Sequence, residues 1–123
     1  MPSTGLVASH IKELENRLNH IEDDADKMFA LSELSEFYTF TNIREAQKLL
    51  AELQIMLQKH QHPDLMLMFH LNTAIVENQF YNYKLSEIHF KQALEIVEEE
   101  GNVSQQVEVY VDYAGTLINL NDF

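Results

Sequence analysis

Thr39-Phe40-Thr41-Asn42-Ile43 recurs in kind as Gln79-Phe80-Tyr81-Asn82-Tyr83 and again as Asn119-Leu120-Asn121-Asp122-Phe123, at an interval of 40 residues both times. Asn42, Asn82 and Asp122 fall in register, and each residue type can cap a helix N-terminus by accepting a bond from an unpaired backbone N–H. Phe40, Phe80 and Leu120 align before them; Ile43, Tyr83 and Phe123 align after them. Each unit therefore reads as apolar residue, polar cap, apolar residue, then a new helix. A fixed period of this length is the signature of a helical repeat array. Such arrays present surface to partners.

The rest of the chain punctuates itself the same way. Ser3 or Thr4 can cap a first helix running to about Ile21. The acidic stretch Glu22-Asp23-Asp24 then reads as a break, with Asp24 starting a second helix over about 25–40. Asn42, with Glu45 three residues on, fits a capping box for a third helix over about 43–60. Pro63 suits the first position of a fourth helix, which runs to about Gln79. Asn82 opens a fifth, ended by Gly101 as a left-handed C-cap, and Ser104 can cap a sixth running to about Leu120. No strand-like alternation competes. The expected fold is all-α, with about six helices in antiparallel hairpins.

Composition agrees. A chain of 123 residues with 46% hydrophobic content can build a core, and Gly 3 with Pro 2 favours long helices. There is no Cys, which excludes disulfides, thiolate metal sites and cysteine nucleophiles and suits a reducing cytoplasm. Apolar stretches are broken well short of a membrane span, and the N-terminus lacks the pattern of a signal peptide. The formal net charge is −12, with only 8 scattered Lys and Arg, so nucleic-acid binding is not expected. After Lys91 no Lys or Arg follows, while Glu95, Glu98, Glu99, Glu100, Glu108, Asp112 and Asp122 do. That run is a solvated acidic face or a dock for a basic partner.

One stretch carries a family resemblance. In Tyr83-Lys84-Leu85-Ser86-Glu87-Ile88-His89-Phe90-Lys91-Gln92-Ala93-Leu94-Glu95-Ile96, an aromatic start is followed by small Ser86, aromatic Phe90 and the pair Ala93-Leu94. This is similar to the second helix of a tetratricopeptide repeat, and Tyr110 to Leu117 resembles the first helix of the next unit. Ala46, Leu50 and Leu53 occupy the positions of Ser86, Phe90 and Ala93 one period earlier. Ala74 and Ala114 fit the family's tight helix crossing, whereas Leu34 stands there in the first unit and makes it degenerate. The family's usual period is about 34 residues; the longer one here implies roughly one and a half extra helical turns at about 3.6 residues each. Tryptophan and the terminal proline are missing. Longer-period repeats of this kind resemble those of bacterial sensory and regulatory proteins and of eukaryotic polarity scaffolds.

The resemblance implies a TPR-like α-solenoid. Residues 1–24 would be an N-terminal capping or self-association helix, 25–62 a degenerate first repeat, 63–102 a second, and 103–123 the first helix of a third whose partner is due where the sequence stops. It implies a protein-interaction module, the sensory or scaffolding part of a larger bacterial signalling regulator. The alternatives are a homo-oligomerisation element and a peptide-sensing regulatory domain. Met28, Leu31 and Tyr38, with Met68, Leu71, Ile75 and Asn78, would line the partner-binding groove on the first helix of each unit. That groove has no Lys or Arg, so it lacks the clamp by which chaperone-binding members hold a C-terminal carboxylate.

Val7, Ile11, Leu14, Leu18 and Ile21 step by four and three, a heptad seam. They are the candidate self-association residues of a homodimer, together with Leu117 on the sixth helix.

Chemistry finds little purchase. His60 and His62 form a His-x-His pair, but no third ligand is placed by spacing, and a helix C-terminus explains a histidine more simply. Glu98, Glu99 and Glu100 are consecutive, so they diverge around a helix and form no acid–base pair. There is no phosphate loop and no nucleophile elbow. The expectation is no enzyme, no cofactor and no metal.

Overall fold

The computed structural model describes residues 2–100 and 103–121, with side-chain surroundings for 8–100 and 103–115. It is all-α: six helices among the described residues, α1 (Pro2–Leu18), α2 (Asp24–Tyr38), α3 (Ile43–Lys59), α4 (Pro63–Gln79), α5 (Tyr83–Glu100) and α6 (Val103–Asn121). They divide into two compact units, Met1–His60 and Gln61–Phe123.

In the first unit α2 packs against both α1 and α3. Its buried residues, Met28, Ala30, Leu31, Ser32, Leu34 and Ser35, spread around the helix because both sides are covered. By contrast α3 buries one stripe, Ala46, Leu49, Leu50, Leu53 and Leu57, at helical spacing. Buried hydroxyls turn back on their own helix: Ser35 Oγ donates to Ser32 O (2.8 Å) and Thr39 Oγ1 to Ser35 O (2.7 Å).

In the second unit α4 packs on α5, α5 on α6, and α4 also reaches α6. The core is Leu67, Leu71 and Ala74 from α4, Phe90, Ala93 and Val97 from α5, and Val109 from α6. The rings of Phe90 and Tyr113 stack with centroids 5.7 Å apart, joining α5 to α6. Ser86 and Ala74 meet where α4 and α5 cross, and Ser86 Oγ donates to the Ala74 carbonyl at 2.6 Å. A small side chain is what allows a hydroxyl to reach a carbonyl of the facing helix.

The helix starts follow the polar punctuation, with corrections. Asn42 Oδ1 accepts from Glu45 N (3.2 Å) and caps α3. Asp23, not Asp24, caps α2, accepting from Asp26 N at 3.0 Å. Asn82 directly precedes α5, but its side-chain amide donates to Glu77 Oε2 (2.8 Å). The turn before it also differs from its counterpart one period earlier. Asn82 N bonds Glu77 O (2.8 Å) and Tyr81 N bonds Asn78 O (3.1 Å), the paired bonds of a left-handed helix stop. Tyr81 accordingly holds φ at 64°. The α2–α3 turn instead closes with Asn42 N on Tyr38 O at 2.9 Å.

Ser3 and Thr4 lie inside α1, and Ser104 inside α6, so none of them is the residue before its helix. α1 ends at Leu18, short of Ile21, because Asn19 and His20 form a turn. Ala114 is exposed rather than buried at a crossing, because α6 turns Val109 and Tyr113 toward α5. Gly101 and Asp122 lie outside the described residues.

Candidate interaction surfaces

The residues expected to line a partner groove divide by exposure. Met28, Leu31 and Leu71 are interior, at 2%, 0% and 3% exposure. Leu71 belongs to the α4–α5–α6 core. A side chain held there cannot also meet a partner. Tyr38 in the first unit, and Met68, Ile75 and Asn78 in the second, are half-buried and keep part of their surface in solvent. Tyr38 has a structural partner of its own: its hydroxyl donates to Glu15 Oε1 on α1. That hydrogen bond, with burial, pushes the Tyr38 hydroxyl pKa up to about 12.

The α1 seam has an occupant within its own unit. Ile11 and Leu14 are buried and α1 lies against α2. His10 Nε2 meets Glu33 Oε1 of α2 at 2.7 Å, a second polar tie beside Tyr38–Glu15. Leu18 and Ile21 are half-buried. The Val7 and Leu117 side chains lie outside the described residues. A cleft of about 600 Å³ opens between the end of α1 and the start of α2, floored by Leu14, Ile21 and Ala30 and rimmed by both charge signs.

The histidine pair at the unit boundary does structural work. His60 Nε2 meets Asp24 Oδ2 at 2.9 Å, and His62 Nδ1 accepts from Leu65 N at 3.5 Å as the cap of α4. Among the described residues no three His, Asp or Glu side chains gather as metal ligands.

His70 and His89 form a pair that sequence spacing does not reveal. Their Nδ1 atoms are 3.0 Å apart across α4–α5, with the Phe69 ring edge-on to both. Burial, reinforced by His89, lowers the His70 pKa to about 4. Burial also lowers that of His89, against the opposing pull of Glu77. Both rings are therefore neutral at pH 7, one donating its Nδ1 proton to the bare Nδ1 of the other.

The most prominent surface is on α6. Val103, Val107, Tyr110 and Val111 are 70%, 57%, 50% and 65% exposed. Their spacing of four, three and one places them on one face of the helix, and exposed Ala114 continues the row. The opposite side of α6 is spent on the core through Val109 and Tyr113. The row is a contiguous run of exposed apolar side chains. Exposed Glu108 borders it beyond Val111, while half-buried Asp112 lies farther round the helix. Burial and the neighbouring Glu108 raise the Asp112 pKa above the usual carboxylate range.

No helix among the described residues is long and apolar enough to cross a membrane. No protein-family description, curated protein or solved structure matches the chain.

Proposed function

We propose that the chain is a protein-interaction module of tetratricopeptide-repeat type, the sensory or scaffolding part of a larger signalling regulator. The observation that carries the interaction reading is the exposed row Val103, Val107, Tyr110 and Val111 on α6. Three valines and a tyrosine in water on one helical face gain nothing in isolation, whereas covering them removes apolar surface worth about 25 cal/mol per Å². The 40-residue repeat and its helix hairpins support the assignment to the repeat type. The half-exposed Tyr38, Met68, Ile75 and Asn78 are further candidates for partner contact.

The test is selection from a displayed library of helical and extended peptides, unbiased in charge, against the full chain. Ligands that bind the parent and not Val107→Asp/Val111→Asp, with both proteins equally helical and equally stable, are the expected result. A selection yielding no ligand that distinguishes the two proteins would overturn the reading.

A further inference from the structure

We infer that the α6 row seats an amphipathic helix of a partner protein carrying Lys or Arg beside its apolar anchors. This rests on the interaction reading above and adds the chemistry of the occupant. The row from Val103 to Ala114 spans about three helical turns, or about 16 Å at about 1.5 Å per residue. Its pitch of four, three and four is that of another helix packed alongside it.

Charge then selects the occupant. Exposed Glu108 borders the row on α6 itself. On α5 of the same unit, Glu95, Glu98, Glu99 and Glu100 are exposed, and Tyr110 of the row donates its hydroxyl to Glu98 Oε1 at 3.3 Å. No Lys or Arg follows Lys91, and Lys91 is itself paired with Glu87 at 2.9 Å.

A second copy would bring the same carboxylates against these, in a chain of net charge −12. An anionic membrane or a nucleic acid would meet the same repulsion. A helix with flanking cations gains both the apolar burial and the attraction, and its association depends on salt.

The experiment uses the full chain and two fluorescent amphipathic peptides with identical apolar anchors. One carries Lys and Arg at the flanking positions, the other Glu and Asp. Fluorescence anisotropy should show binding of the basic peptide only, weakened several-fold by added salt. Glu98→Gln/Glu108→Gln should weaken it several-fold, and Val107→Asp/Val111→Asp should abolish it. Circular dichroism and melting should match the parent in both variants. Equal binding of the two peptides would overturn the charge assignment while leaving the surface in place. If neither binds although library selection yields ligands dependent on the row, the occupant is of another class and this inference fails alone. A parent that sediments as a dimer and becomes monomeric in Val107→Asp/Val111→Asp would make a second copy the occupant and overturn the inference. So would binding of the chain to anionic phosphatidylserine vesicles through the row.

Discussion

The Nδ1 atoms of His70 and His89 face each other at 3.0 Å, so one proton shared between two neutral rings ties α4 to α5. A second proton at this contact would bring two donors together in a half-buried site. The pKa of His70 is lowered to about 4 and that of His89 is lowered too, from an unfolded value near 6.5. Because the unfolded chain takes up protons first, the stabilisation is complete above about pH 6.5 and is lost as pH falls toward about 4. Thermal melts across that window should show a falling Tm. His70→Leu/His89→Leu should flatten that fall relative to the parent, and an unchanged slope would refute the assignment.

Tyr81 holds a positive φ of 64° with its side chain 77% exposed. A left-handed conformation costs a non-glycine residue roughly 1–2 kcal/mol. Tyr81→Gly should therefore be more stable than Tyr81→Ala by about 1 kcal/mol. Comparing those two variants removes the Tyr81–Tyr83 ring contact from the difference. Urea midpoints measure it.

Asn42 and Asn82 share a register position but not a role. Asn42→Ala removes a cap and should cost about 1 kcal/mol. Asn82→Ala strips the amide from Glu77, a carboxylate only 7% exposed. Leaving a buried acceptor unpaired costs about 1–3 kcal/mol, so Asn82→Ala should be the more damaging of the two in chemical denaturation.

Ala93 is fully buried in the second unit's core, and Ala114 is exposed on α6. Ala93→Leu should destabilise by about 1–3 kcal/mol through overpacking. Ala114→Leu should lie within about 0.5 kcal/mol of the parent. Melting curves that rank them the other way would contradict the packing described.

Helix positions were legible because polar residues mark them: Asn42, Pro63 with His62, and the acids at 22–24 each sit at a helix start or just before one. The α5 side of the second-unit core was also legible, since Ser86, Phe90 and Ala93 recur at helical spacing. Exposure was harder to read. α2 and α4 are apolar on more than one side because each packs on two neighbours, so periodicity alone does not separate interior Leu31 and Leu71 from half-exposed Ile75. The α1 seam looks the same in sequence whether it meets another copy or, as here, lies against α2 of its own unit. His70 and His89 stand 19 residues apart and become neighbours only through the hairpin. The stop at Tyr81 was invisible because glycine, its usual marker, is absent there.

The most direct test of the central claim is an amide chemical-shift map of the full chain titrated with the basic amphipathic peptide. The predicted result is a contiguous set of perturbations at Val103, Val107, Tyr110 and Val111, fading as salt is raised. Perturbations centred instead on Tyr38, Met68, Ile75 and Asn78, or no localised perturbation at all, would contradict it.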